Sequence, residues 1–287
     1  MYKIGIIGNG FVGSSVAHGF SAQTGCDVDS IKIYDKQNDK STHTLNEVVN
    51  DSDYIFISVP TPSNKDGSIN LNIVYNVFDE IENCIEDDKE PVLLLRSTIL
   101  PGTSRKLQQK HPRLNIVFNP EFLTERSAKL DFINQARIIL GGTWSNTESV
   151  KKLYQWRFGK YIPVIKTDFE TAEMVKYMCN CFFATKVSYM NEMKKLSDKI
   201  GANWEDCVEG FALDGRIGHS HLAVPGPDGR FGFGGSCFPK DVQAMINFMT
   251  KKDVPVNTLK GAWETNLEVR PEEDWKKLKG RAVVENE

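Results

Sequence analysis

The chain has 287 residues, 40% of them hydrophobic and 25% charged, with 35 lysines and arginines against 38 aspartates and glutamates. That is the balance of a soluble globular protein large enough for two domains, and it lacks the basic footprint of a nucleic-acid or membrane-surface binder. No run of about 18 apolar residues occurs, so no membrane-spanning helix is expected. An isoleucine-rich run at 2–7 is the first predicted strand; glycine interrupts it too early for a signal peptide. It ends at Gly8-Asn9-Gly10-Phe11-Val12-Gly13, and a helix-compatible stretch follows at 14–22.

Strand, GxGxxG and helix in that order are the context of the dinucleotide-binding fingerprint. Gly8 permits the tight turn, Gly10 lets a pyrophosphate approach the backbone, and Gly13 lets helix and strand pack closely. The phosphates would rest on the helix N-terminus. Gly8, Gly10, Phe11, Val12 and Gly13 are therefore the first cofactor candidates. A second run at 31–34 ends in Asp35, 22 residues past Gly13. An acid there binds ribose hydroxyls and repels a 2′-phosphate, which favours NAD over NADP, although Lys36 follows directly.

Further strand-like runs fall at 54–59, 92–95, 115–118, 137–140 and 161–165, with helix candidates at 72–82, 104–110, 125–131 and 146–158. This alternation predicts an α/β fold, a mainly parallel sheet with helices on both faces. Ligands of such sheets bind beyond the carboxyl ends of the strands. There the chain places Pro60-Thr61-Pro62, Arg96-Ser97-Thr98, and Asn119 to Glu125, a segment that includes Glu121, Phe122 and Glu125.

From Asp168 the pattern becomes helical, and we place a domain boundary between 167 and 168. Residues 169–200 contain no proline or glycine and carry apolar residues at helical intervals, predicting one helix of roughly 30 residues, about 45 Å long. Such a helix suits a dimer interface. Lys176 and Asn180 share one of its faces; taken alone, the pair reads as a solvated edge. Helices are also predicted at 204–213, 239–251 and 256–269, and the charged remainder, 270–287, is expected to fray. The loop between 214 and 233 is rich in glycine and proline; His219 and His221 lie in it without a third ligand, so no metal is expected.

The densest signal is Gly234-Gly235-Ser236-Cys237-Phe238-Pro239-Lys240-Asp241. A helix starting near Phe238 or Pro239 would set Cys237 at its positive end, where backbone N–H groups and Lys240 favour thiolate over thiol. Asp241, one turn on, could handle protons or water there. The six cysteines (26, 84, 179, 181, 207 and 237) match no disulfide or zinc framework, which suggests reduced thiols in a cytoplasm.

Several blocks, in order, resemble the nucleotide-sugar dehydrogenases, the UDP-glucose/GDP-mannose dehydrogenase family. They are Gly8 to Gly13 with Asp35, Val59 to Pro62, Arg96 to Thr98, Asn119 to Glu125, Glu173 to Lys176 with Asn180, Arg216 to Gly218, and Phe233 to Asp241. The resemblance implies a Rossmann-type doubly wound domain (1–167) followed by a helical, 6-phosphogluconate-dehydrogenase-like domain (168–287) that forms a homodimer. It implies oxidation of a sugar C6 alcohol to the carboxylate with two NAD, UDP-glucose to UDP-glucuronate first, GDP-mannose or another nucleotide sugar as the alternative. Cys237 would form a thiohemiacetal and then a thioester; Lys176 and Asn180 would steady oxyanions; Asp241 would move protons. Thr98 and Glu125 would serve both chemistry and cofactor, with Thr61 and Lys240 on the cofactor. Glu121, Phe122, Arg216, Phe233 and Gly234, with Lys176 and Asn180, would bind substrate. Family members continue past residue 270 into a further nucleotide-gripping domain, so a short form is expected. It would work alone, draw that domain from a separate chain, or act as a catalytically weak NAD-binding subunit.

Overall fold

A computed structural model describes residues 1–285. It divides into two compact units: residues 1–61 with 71–176, and residues 62–70 with 177 onward.

The first unit is built on a seven-stranded sheet. Its elements are β1 (Lys3–Ile7), α1 (Phe11–Gly19), β2 (Ser30–Tyr34), α2 (Leu45–Asn50), β3 (Tyr54–Ile57), α3 (Asn72–Cys84) and β4 (Val92–Leu95). There follow α4 (Thr103–Lys110), β5 (Asn115–Phe118), α5 (Ala128–Ile133), β6 (Ile138–Gly142), α6 (Trp144–Phe158), β7 (Val164–Thr167) and the start of α7 (Phe169–Ile200). The strand order is β2-β1-β3-β4-β5-β6-β7, parallel throughout except for β5 against β6. The order reverses between β1 and β3, the topological switch point at which doubly wound sheets bind ligands.

Alternate residues of the central strands feed two separate cores. Ile55 and Ile57, Leu93 and Leu95, and Ile116 and Phe118 pack with Val74, Phe78, Ile81 and Leu107 on one face. Tyr54, Phe56, Leu94 and Val117 pack with Val16, Phe20, Phe132 and Tyr154 on the other. Burial on both faces is why these strands read as unbroken apolar runs.

Two local differences from expectation have clear causes. The short α2 was not anticipated, yet it is announced by a capping box: Glu47 N donates to Thr44 Oγ1 (3.3 Å) and Thr44 N to Glu47 Oε2 (2.7 Å). The helix expected at 125–131 starts instead at Ala128, because Asp131 draws Thr124 N (2.7 Å) and the Ser127 hydroxyl (2.9 Å) into a turn ahead of it.

The second unit holds most of α7, then α8 (Trp204–Ala212), α9 (Phe238–Lys251) and α10 (Asn257–Val269). The division at 176/177 falls inside α7, so Lys176 belongs to the first unit and Asn180 to the second. The segment after α10 does not fray through residue 285, contrary to expectation. Its charges are satisfied locally, Arg270 donating to Asp228 and Asp274 at 2.8 Å each, while Trp275 and Ala282 are buried. Its backbone also pairs with residue 63: Ser63 N donates to Ala282 O (2.9 Å) and Val284 N to Ser63 O (3.1 Å). Residues 286–287 lie outside the described part of the chain.

Candidate active site

In the first unit, Gly8 and Gly13 of the fingerprint meet steric demands that other residues would not. Gly8 has φ +91°, and a Cβ there would come within 2.5 Å of Ser58 O; one at Gly13 would come within 1.9 Å of Gly8 O. At Gly10 a Cβ would meet nothing within 4 Å, so the head of α1 is open space, and no side chain caps it. Phe11 and Val12 form the first turn. Asp35, at the end of β2, accepts from Asn9 N (2.7 Å) and Gln37 N (2.9 Å), which fixes its carboxylate beside the glycine turn. Uncapped helix start, close-approach glycine and anchored acid together suit a dinucleotide with an unphosphorylated ribose.

Beyond the carboxyl ends of β3 and β4, Ser97 Oγ donates to Val59 O (2.7 Å) and accepts from Val59 N (3.0 Å), tying the two strand ends together. Thr61 is buried there and Thr98 half-buried. After β5, Lys176 donates to both the backbone carbonyl (2.6 Å) and the carboxylate (2.8 Å) of Glu121, and both residues are more than nine-tenths buried. The other carboxylate oxygen of Glu121 accepts from Leu123 N (2.7 Å). The Lys176 ammonium also sits 5.5 Å from the Phe122 ring centroid. Glu125 lies exposed in the turn ahead of α5.

Glu173, three residues before Lys176, was assigned no role from the sequence. Its carboxylate accepts from Gly102 N (2.6 Å) and Ser104 N (2.7 Å), capping α4 from another helix. Burial outweighs those hydrogen bonds and raises its pKa to about 7.

In the second unit, Cys237 is the N-cap of α9 and Pro239 lies in the first turn. The backbone carbonyl of Cys237 accepts from Asp241 N (2.8 Å), and the thiol is half-buried, with the Ser236 hydroxyl 3.8 Å away. The Lys240 ammonium pairs with Asp241 Oδ1. The other carboxylate oxygen accepts from Asn180 Nδ2 (2.6 Å). Asp241 is fully buried, and Lys240 and Asn180 nearly so. The solvated-edge reading of Lys176 and Asn180 therefore fails: both are buried because each has a charged partner. Cys181 is a contrast, since burial pushes its thiol far above the usual range.

Arg216 is exposed and paired with Asp214 (2.9 Å to Oδ1). Its loop is anchored by Lys186, which donates to the carbonyls of Ile217 (3.2 Å) and Gly218 (2.8 Å). Phe233 is buried, its ring against Phe238 and Trp263, and the backbone of Gly234 passes directly over the Arg270 guanidinium.

Two family models match the chain. Residues 31–157 match the NAD binding domain of the UDP-glucose/GDP-mannose dehydrogenase family, and residues 170–268 match its central domain. A curated UDP-glucose 6-dehydrogenase of Rickettsia felis is 36% identical over 232 residues, covering 79% of this chain and 50% of the relative. A solved UDP-glucose dehydrogenase from Pyrobaculum islandicum is 27% identical with a TM-score of 0.81, covering 93% of this chain and 68% of that one. A GDP-mannose dehydrogenase from Pseudomonas aeruginosa is 26% identical with a TM-score of 0.67, covering 96% and 71%. The chain belongs to the UDP-glucose/GDP-mannose dehydrogenase family, and its first unit carries that family's NAD binding domain. It spans about half the length of the Rickettsia relatives it matches. No described helix is long and apolar enough to cross a membrane.

Proposed function

We propose that the chain oxidises the C6 alcohol of a nucleotide sugar to the carboxylate, with UDP-glucose as substrate and UDP-glucuronate as product. The observation that carries this reading is the head of α9, where Cys237 precedes a buried Lys240–Asp241 pair bridged to Asn180. NAD, when bound, accepts a hydride in each of the two oxidations. Cys237 Sγ adds to the C6 aldehyde, giving a thiohemiacetal; oxidation at that carbon leaves a thioester, and water releases the acid and restores the thiol. The Asn180 amide and the Lys176 ammonium stabilise oxyanions at C6, each donor worth a few kcal/mol when well placed. Asp241 relays the protons.

Thr61, Thr98, Glu125 and Lys240 join Gly8 to Gly13 and Asp35 in serving the cofactor. Glu121, Phe122, Arg216, Phe233 and Gly234 serve the substrate. The relatives named for UDP-glucose favour that sugar; the likeness to the GDP-mannose dehydrogenase keeps GDP-mannose as the second candidate. Six cysteines without a disulfide fit a cytoplasmic protein. Met178, Phe182, Tyr189, Leu196 and Ile200 lie exposed along one face of α7, which supports a homodimer through that helix.

Purified protein supplied with NAD and UDP-glucose should form two NADH per sugar consumed. NAD binding without turnover of any nucleotide sugar would replace this reading with that of a cofactor-binding subunit dependent on a partner chain.

A further inference from the structure

The turn that delivers Cys237 contains three glycines, Gly232, Gly234 and Gly235, and so has little intrinsic stiffness. Its rigidity is supplied by buried side chains of the second unit. Asn191 on α7 accepts from Gly232 N (3.1 Å). Asn266 on α10, fully buried, accepts from Phe233 N (2.7 Å) and donates to Phe233 O (3.1 Å). Arg270, one helical turn further on, donates to Phe231 O (3.3 Å) and is itself locked by Asp228 and Asp274.

The fit leaves no slack. A Cβ at Gly232 would come within 2.4 Å of Asn266 Oδ1, and one at Gly234 within 2.5 Å of the Arg270 guanidinium. Burying an amide is unfavourable unless both its ends are bonded. Asn266 satisfies both on a single residue, four before Cys237.

We propose that Asn266 is a positioning residue for Cys237: by gripping both backbone polar groups of Phe233 it fixes the glycine turn that presents the thiol at the head of α9. The inference rests on the reading of Cys237 as the nucleophile. It extends that reading to a residue that touches neither the sulfur nor, in this account, the substrate. Asn266→Ala releases both hydrogen bonds; Asn266→Asp keeps an acceptor for Phe233 N and loses the donor.

The experiment follows iodoacetamide labelling of the intact chain across pH 5–9 by peptide mass spectrometry, with exposed Cys207 as the internal reference. In the wild type, Cys237 should reach half its plateau rate at a lower pH than Cys207. Asn266→Ala should move the Cys237 midpoint up to that of Cys207 and lower kcat at least tenfold with KM for NAD unchanged; Asn266→Asp should fall between. An unchanged Cys207 profile and a cooperative thermal transition in Asn266→Asp show that the fold is retained, so the shift is not unfolding. The proposal is overturned if Cys237 keeps its wild-type midpoint in both variants, or if it already titrates with Cys207 in the wild type. A wild type that turns over no nucleotide sugar yet shows the labelling shift would sink the proposed reaction and leave the positioning role standing.

Discussion

Among the described residues each unit buries one lysine–carboxylate pair, and the two pairs are built differently. Lys176 and Glu121 are 55 residues apart, and the lysine keeps a second acceptor in the Glu121 backbone carbonyl. Their pairing holds the loop after β5 against α7. Lys240 and Asp241 are neighbours in one helical turn; among the described residues Asp241 is the acceptor for Lys240, and Asn180 occupies its other oxygen. The first pair is a tether with a spare bond. The second is a local charge reservoir with none, placed one turn from Cys237. Loss of one carboxylate should therefore be felt more in the second unit than in the first.

The largest effect should come from Asp241→Ala. It strands a buried ammonium and should lower unfolding stability by about 3–5 kcal/mol, read from denaturant midpoints at constant slope. Glu121→Gln leaves Lys176 an amide oxygen and the carbonyl, so the loss should be about 1–3 kcal/mol. Equal losses in the two variants would end the distinction between the pairs.

A third carboxylate sharpens the contrast because it has no lysine. Glu173 accepts the backbone N–H groups of Gly102 and Ser104 at the head of α4, and burial raises its pKa to about 7. Its folded value lies above its unfolded one, so the folded state holds the extra proton between about pH 4.5 and 7. Stability contributed by the neutral form is complete below that window and is lost as pH rises through it. The thermal midpoint should fall across this range in the wild type and stay flat there in Glu173→Gln; a parallel fall in both would assign the slope to another group. The smallest effect should be that of Thr44→Ala, which removes the capping box of α2 and should cost about 1 kcal/mol, checked by the same denaturant titration.

Much of this contrast could be read from residue order, and the rest could not, for identifiable reasons. The central strands of the first unit are apolar on both faces and stand out as runs; α7 is bounded by the absence of proline and glycine; Pro239 marks the head of α9. Glu173, Asn191, Asn266 and Arg270 were missed because a buried polar residue is recognised by its partner, and the partner is distant in sequence. The one local hint was spacing: Asn266 and Arg270 are four apart on a helix and so share a face. Polarity misled the solvated-edge reading of Lys176 and Asn180, which are buried against carboxylates. High charge likewise hid the ordered segment after α10, where Arg270 is neutralised on both sides and Trp275 is covered.

The most direct measurement compares acid product from Cys237→Ser and wild-type protein supplied with UDP-glucose and excess NAD. A nucleophilic sulfur requires that the serine variant make no acid above background while binding NAD with unchanged affinity. Acid formed by the variant at the wild-type rate would contradict the covalent route.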